Sequence, residues 1–208
     1  MTIIVHHLEN SRSQRILWLL EELALPYEIK RYERHPKTQR APDSLKAIHP
    51  LGKSPMIEDD GQVIIETAAI VEYLVTKAGG TLGAPEDKTG AKLYTQYLHF
   101  AEGSMMPPLF GALVINRLGF LGWPAKKPIL GMVEDLLTWL ETELSSRPYF
   151  AGSELTAADV LMSFPLEASQ SRAGLDDRFP NLQAWLKRIH DRPQYQTALE
   201  KGGPYAYA

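Results

Sequence analysis

The first eighty residues alternate between short β-branched runs and longer segments with helical periodicity. Residues 2–6 are β-branched and apolar, which predicts a buried strand. Ser11 and Ser13 are of the residue type favoured at helix N-termini, and they precede residues 15–25, which contain no glycine or proline. Because apolar residues occupy nearly every side of that segment, we expect a helix that is covered on both faces.

The same alternation continues to about residue 80. It predicts strands at residues 27–32, 54–57 and 62–65, a short helix near residues 43–48, and an amphipathic helix over residues 66–77. Asp59-Asp60-Gly61 is a hairpin signal between the last two strands, and Gly79-Gly80 ends the last helix. The order β-α-β-α-β-β-α predicts a compact mixed sheet with helices on its faces.

The remainder of the chain has helical periodicity. The helical patterns cover residues 87–117, 126–146, 160–169 and 181–190, followed by a short final helix. Pro107-Pro108 is expected to interrupt or kink the first of them, and Thr156 with Asp159 forms a capping box before the third. We therefore predict an α/β domain over residues 1–80 and an all-helical domain over residues 87–208.

Composition narrows the classes of function. The 208 residues carry 22 Lys and Arg against 25 Asp and Glu, a formal charge of −3, so nothing favours nucleic acid or a membrane as a partner. The chain has no cysteine, which excludes disulfides, thiolate metal sites and a cysteine nucleophile. Its 6 histidines are not spaced like metal ligands, and no metal is expected. Met1 leads directly into a strand-like segment without a basic leader, so we expect a cytoplasmic protein.

Three junctions carry the candidate chemistry. Ser11 lies in the turn between the first strand and the first helix. Ser54-Pro55 precedes a strand and contains an X-Pro bond, the one kind of peptide bond for which the cis form costs little. Glu66-Thr67 joins a strand to a helix, where free amides and the helix dipole favour a carboxylate. We expect all three at one edge of the first domain.

Several motifs, in this order and spacing, resemble the soluble glutathione transferases. They are the sequence from His49 to Pro55 (HPLGKSP), Glu66-Thr67, the sequence from Asn10 to Leu20 (NSRSQRILWLL), Phe100 to Ser104 (FAEGS), and Ala158 to Leu166 (ADVLMSFPL). The similarity is greatest to the fungal and bacterial subgroup typified by the first yeast glutathione transferase. It implies a thioredoxin-like domain that holds glutathione, an all-helical domain that shapes a hydrophobic co-substrate pocket, a homodimer and a role in detoxification.

The resemblance also implies roles for individual residues. Ser11 would donate a hydrogen bond to the glutathione sulfur, Ser54 would pair its backbone with the cysteinyl residue, and Lys53 would meet the glycyl carboxylate. Thr67 would hold the γ-glutamyl carboxylate and Glu66 the ammonium group. Glu102, from the partner subunit, is a further candidate for the ammonium group. The co-substrate pocket is expected around His7 and Leu8 and around the apolar residues Met105, Met106, Leu109 and Phe110.

Alternatives remain at several of these positions. Ser13 is a second hydroxyl two residues from Ser11 and competes with it for the sulfur contact. Ser11 alone is compatible with a simple N-cap, and Lys53 with a solvated surface lysine. Met105 and Met106, taken without context, suit a core as well as a pocket. The chain is therefore predicted to conjugate glutathione to electrophiles, with organic hydroperoxide reduction as a possible second activity. The alternative is a non-catalytic binding or regulatory protein with the same fold.

Overall fold

A computed structural model describes residues 2–207, which divide into two compact units. One unit comprises the chain up to Leu82 together with Asp191–Ala206, and the other comprises Gly83–His190 together with Tyr207. The division expected from the sequence, residues 1–80 and 87–208, assigned the C-terminal segment to the helical domain. By its contacts, Asp191–Ala206 groups with the first unit instead.

A four-stranded mixed sheet forms the centre of the first unit. Its strands are β1 (Ile3–Leu8), β2 (Tyr27–Tyr32), β3 (Met56–Asp59) and β4 (Gln62–Ile65). They lie in the order β2-β1-β3-β4, with β2 parallel to β1 and β3 antiparallel to both of its neighbours. Asp60 (φ 48°) and Gly61 (φ 75°) form the tight turn between β3 and β4, as two positive φ angles in a two-residue hairpin require. The predicted hairpin is confirmed.

Two helices pack with this sheet. They are α1 (Ser13–Glu22) and α2 (Thr67–Lys77). The first eight residues of α1 are all buried, which confirms that this helix is covered on both faces. The short helix expected near residues 43–48 is a 3-10 turn, Asp43–Ala47, that buries Leu45. This arrangement is the thioredoxin-like domain implied by the resemblance.

The second unit is helical. Its helices are α3 (Lys88–Phe100), α4 (Met106–Leu118), α5 (Trp123–Leu144), α6 (Ala157–Arg172) and α7 (Pro180–His190). A π-turn, Ala101–Met105, separates α3 from α4. Its position follows from Pro107 and Pro108, which have no N–H to donate to the carbonyl groups four residues earlier. The expected interruption at the two prolines is therefore present as a π-turn that precedes them.

One part of this helical stretch is also apolar. The helical stretch Lys88–Leu144 contains an 18-residue segment with a mean hydropathy of 1.3, which is long and apolar enough to cross a bilayer. A core helix of a soluble protein meets the same criterion, so composition and length alone do not identify a membrane span.

Asp159 organises the start of α6. It is fully buried and accepts hydrogen bonds from the backbone N–H groups of Phe150 (2.9 Å) and Thr156 (3.0 Å) and from Trp185 Nε1 (3.2 Å). The predicted capping box between Thr156 and Asp159 is present. Asp159 thereby ties together the loop before α6, the start of α6 and α7, which is the structural role expected of it.

The last helix, α8 (Pro193–Gly202), packs on α1 in the first unit. Trp18 and Tyr195 meet edge to face with ring centroids 5.3 Å apart, and Gln14 Nε2 donates to the carbonyl of Ala198 at 2.9 Å. The two helices approach so closely at Gly202 that an added Cβ would lie 2.4 Å from Gln14 Oε1. Helix α8 therefore completes the cover of α1.

Candidate functional site

The strand register brings the three predicted junctions to one end of the sheet. His6 of β1 lies opposite Met56 of β3, and Met56 lies opposite Ile65 of β4. The end of β1, the start of β3 and the end of β4 are therefore neighbours. The Ser11 turn follows the first, Ser54-Pro55 precedes the second, and Glu66-Thr67 follows the third.

The turn that carries Ser11 is held by hydrogen bonds from two directions. From the segment after β2, Arg34 donates through Nε to the carbonyl of Glu9 and through Nη2 to the carbonyl of Asn10, both at 3.1 Å. From the C-terminal segment, the N–H of Ala206 donates to Asn10 Oδ1 at 2.8 Å. Asn10 has a positive φ of 48°, a conformation that asparagine tolerates better than most residues. These contacts hold the backbone of the turn at Ser11 in one conformation.

Ser11 and Ser13 differ in their surroundings. Ser13 is fully buried at the start of α1, whereas Ser11 keeps 6% of its surface exposed. The Ser13 hydroxyl lies 2.8 Å from Ser11 Oγ and 2.9 Å from His7 Nδ1, and it accepts a hydrogen bond from the N–H of Leu8 at 3.2 Å. Ser11 Oγ accepts the N–H of Ser13 at 3.2 Å, so a cap-like contact is present beside any other role.

His6 and His7 point to opposite faces of β1, as expected of adjacent strand residues. His6 contacts Tyr32 and Glu58, with Nδ1 2.8 Å from the phenol oxygen and Nε2 2.6 Å from Oε1 of the carboxylate. His7 faces α1 and Ser13. Burial lowers the pKa of His7 to about 4, helped by the positive charge of Arg31, so the ring is neutral at pH 7. The contact between His7 and Ser13 was not foreseen from the sequence.

The second junction contains the X-Pro bond noted in the sequence. The Ser54-Pro55 peptide is cis, and Pro55 is buried while Ser54 is half-buried. The Ser54 hydroxyl donates to the carbonyl of His6 at 3.0 Å, which fixes this junction to the end of β1. Lys53, one residue earlier, is exposed at the surface of the first unit.

The third junction places a helix N-terminus at the same end of the sheet. Glu66 is exposed and has a positive φ of 69°, and α2 begins at the buried Thr67. The first hydrogen bond of the helix runs from the N–H of Ile70 to the carbonyl of Glu66 at 2.9 Å. The N–H groups of Thr67 and of the two residues after it precede that bond, so they are available to an anion.

The remaining predicted residues lie in the helical unit. Glu102 is half-buried in the π-turn between α3 and α4. Met105 and Leu109 are buried in the core of this unit, whereas Phe110 is 63% exposed. The role expected of Glu102 involves a second chain and stays a prediction, as does the co-substrate pocket. Among residues 2–207, no group of three or more His, Cys, Asp or Glu side chains is arranged to hold a metal ion.

Comparison with known proteins identifies the family. Residues 2–76 match the glutathione S-transferase N-terminal domain, and residues 125–193 match the C-terminal domain. The chain is 38% identical to glutathione S-transferase 3 of Schizosaccharomyces pombe (96% of this chain, 87% of the relative). It is 33% identical to glutathione S-transferase 1 of Saccharomyces cerevisiae (96% and 94%). A crystal structure of a glutathione S-transferase from Actinobacillus pleuropneumoniae superimposes with a TM-score of 0.89 at 32% identity, covering 99% of this chain and 95% of that one. The chain belongs to the glutathione S-transferase family.

Proposed function

We propose that this protein is a glutathione transferase that joins the sulfur of glutathione to electrophilic carbon atoms of hydrophobic substrates. The observation that carries the proposal is the meeting of three junctions at one end of the sheet: the Ser11 turn, the cis Ser54-Pro55 bond and the N-terminus of α2. Together they offer a hydroxyl donor, an extended backbone segment and an anion site to one small peptide.

Ser11 acts on the sulfur as a hydrogen-bond donor. A free thiol has a pKa of about 8.5, and only its thiolate attacks electrophiles efficiently. A hydroxyl that donates to the sulfur stabilises the anion and raises its fraction at neutral pH. The thiolate then forms a bond to carbon while the leaving group departs with its electron pair, and the thiol proton passes to solvent. Ser11 is not itself a nucleophile in this scheme.

Ser11 is a better donor to the sulfur than Ser13. Ser13 is fully buried, and its hydroxyl already lies within hydrogen-bond distance of His7 Nδ1, Ser11 Oγ and the backbone of Leu8. A ligand would have to displace one of these contacts to reach it. Ser11 is the more exposed of the two, so its proton can turn outward while Ser13 keeps its contacts with His7 and Leu8.

The peptide ends of glutathione suit the other two junctions. The γ-glutamyl carboxylate would lie against Thr67 and the free amides of α2, where the helix dipole favours negative charge, and Glu66 would hold the ammonium group. Ser54 would pair its backbone with the cysteinyl residue. Lys53 would attract the glycyl carboxylate from the surface. Glu102 of a second subunit would add a second carboxylate near the ammonium group.

Steady-state assays test the proposal. Wild-type protein is expected to conjugate glutathione to a chlorinated dinitrobenzene, and Ser11→Ala to lower kcat/KM by about 10–100-fold because one charge-assisted hydrogen bond is lost. Ser13→Ala should retain more activity than Ser11→Ala. If Ser11→Ala leaves turnover unchanged, Ser11 is not the donor. If wild type binds immobilised glutathione yet turns over no electrophile, a non-catalytic binding protein is the better description.

Three further parts of the proposal need separate measurements. Glutathione-dependent reduction of cumene hydroperoxide, which oxidises two glutathione molecules to the disulfide, tests peroxidase activity. Light scattering tests the homodimer that the family resemblance implies. Fractionation of the source cells tests the cytoplasmic location on which a role in detoxification depends.

A further inference from the structure

A buried row of three side chains leads from the core of the first unit to the proposed sulfur site. His7 Nδ1 lies 2.9 Å from Ser13 Oγ, and Ser13 Oγ lies 2.8 Å from Ser11 Oγ. His7 and Ser13 are almost wholly buried, and only Ser11 reaches the surface. Neither the sheet ladder nor the hydrogen bonds of α1 require this row.

Counting protons and lone pairs shows what the row can do. Ser13 Oγ has one proton and two lone pairs. The N–H of Leu8 occupies one lone pair, which leaves one lone pair and one proton for its two side-chain neighbours. The carbonyl of Leu8 is a more distant acceptor at 3.3 Å. The hydrogen bonds that Ser13 makes with His7 and with Ser11 are therefore coupled in direction.

Two arrangements satisfy this count. When His7 Nδ1 carries a proton, it donates to Ser13, Ser13 donates to Ser11, and no lone pair on Ser13 remains for the Ser11 proton, which points outward. When Nδ1 is bare, Ser13 donates to His7, and its free lone pair accepts the Ser11 proton inward. Only the first arrangement presents a donor to a sulfur anion.

We propose that His7 and Ser13 are positioning residues for Ser11, and that a thiolate at Ser11 selects the arrangement in which His7 Nδ1 donates toward it. This inference rests on the proposed function of Ser11 and deepens it. The negative sulfur stabilises the arrangement in which the Ser11 proton points outward. Because the hydrogen bonds of Ser13 are coupled in direction, this arrangement requires a proton on His7 Nδ1. Neither His7 nor Ser13 touches the ligand.

The surroundings of His7 set the protonation state of its ring before glutathione binds. Burial and the charge of Arg31 lower its pKa, while Glu9 and a hydrogen bond to the backbone of Gly202 act in the opposite direction. The ring is therefore neutral at pH 7 before glutathione binds, and its single proton is held toward the carbonyl of Gly202. A thiolate that draws this proton to Nδ1 must also offset the loss of that hydrogen bond. Gly202 belongs to α8, so the C-terminal helix contributes to the surroundings of the imidazole.

The test is the pKa of bound glutathione, read from thiolate absorbance near 240 nm as a function of pH. In His7→Leu nothing donates to Ser13 from the His7 side, so Ser13 can donate to the carbonyl of Leu8 and accept the Ser11 proton, and the thiol pKa should rise by about 0.5–1 unit. The double variant His7→Leu/Ser13→Ala removes the hydroxyl that accepts the Ser11 proton and should bring the thiol pKa back toward the wild-type value. A purely structural role for His7 predicts no such recovery.

Control variants separate the possible failures. His6→Leu makes the same change on the opposite face of β1 and should leave the thiol pKa unchanged. His7→Asn, whose amide can place an N–H near the position of Nδ1, should keep the wild-type value and serves as the conservative variant if His7→Leu does not fold. An unchanged thiol pKa in folded His7→Leu, or no recovery in the double variant, overturns the proposal. If Ser11→Ala also leaves the thiol pKa unchanged, the proposed function of Ser11 has failed instead.

Discussion

Replacing Asp159 with alanine is expected to destabilise the helical unit severely. Its carboxylate is fully buried and accepts two backbone N–H groups and the indole N–H of Trp185 at distances between 2.9 and 3.2 Å. The Thr156 hydroxyl donates to it as well, at 2.9 Å. Alanine offers none of these donors an acceptor, and the cavity left behind is too enclosed for all of them to reach bulk water.

The magnitude follows from the orphaned donors. Each buried donor left without a partner costs about 1–3 kcal/mol. The Thr156 hydroxyl can rotate toward another acceptor, so we count only the two amides and the indole, and we expect a loss of about 3–9 kcal/mol. Since whole domains are stable by only about 5–15 kcal/mol, this loss is comparable with the total. Asp159→Asn should recover part of it, because one amide oxygen remains to accept.

Urea denaturation followed by far-UV circular dichroism measures the effect. The matched control is Asp135→Ala, which removes an exposed carboxylate from α5 and should change the free energy of unfolding by no more than about 0.5 kcal/mol. A loss below about 1 kcal/mol for Asp159→Ala, with an unchanged m-value, would refute the account of Asp159 as the acceptor that holds this unit together.

Three further predictions concern the first unit. Burial lowers the pKa of His7 from 6.5 to about 4, so between these pH values His7 is protonated in the unfolded chain but not in the folded one. The free energy of unfolding should therefore be unaffected by His7 above pH 6.5 and fall by up to about 1.4 kcal/mol per pH unit from there to pH 4. The Tm of His7→Asn should fall less steeply over this range. Arg34→Ala frees the carbonyl groups of Glu9 and Asn10, so KM for glutathione should rise several-fold, and Arg34→Lys should not restore it because an ammonium lacks the guanidinium fork. Lys53→Ala should raise KM for glutathione by about 2–5-fold at low salt and less at high salt, and an equal KM at low salt would exclude the contact.

Local patterns predicted most of the first unit. β2 and β4 lie at residues 27–32 and 62–65, where the sequence pattern predicted strands, and the hairpin turn follows from Asp60-Gly61 alone. These features depend on neighbours along the chain, which a sequence displays directly. The 3-10 turn at Asp43–Ala47 was expected as a helix because the two differ by one residue of hydrogen-bond register, which side-chain pattern does not encode.

Features that depend on distant contacts were harder to predict. The pattern located α8, but nothing in residues 193–202 reveals that their partner is α1, nearly two hundred residues earlier. The rivalry between Ser11 and Ser13 was open for a similar reason, since two hydroxyls two residues apart look alike until the strand beside them is known. The position of His7 on β1 makes their surroundings different, because it supplies Ser13 with a buried partner.

The return of α8 to α1 has a consequence for how the protein is made. During synthesis the sheet and α1 emerge first, and the residues that cover Trp18 and Gln14 follow only after the whole helical unit has been translated. The first unit is therefore interrupted in sequence, with the second inserted into it. We expect an apolar flank of α1 to stay uncovered in the nascent first unit until α8 has left the ribosome.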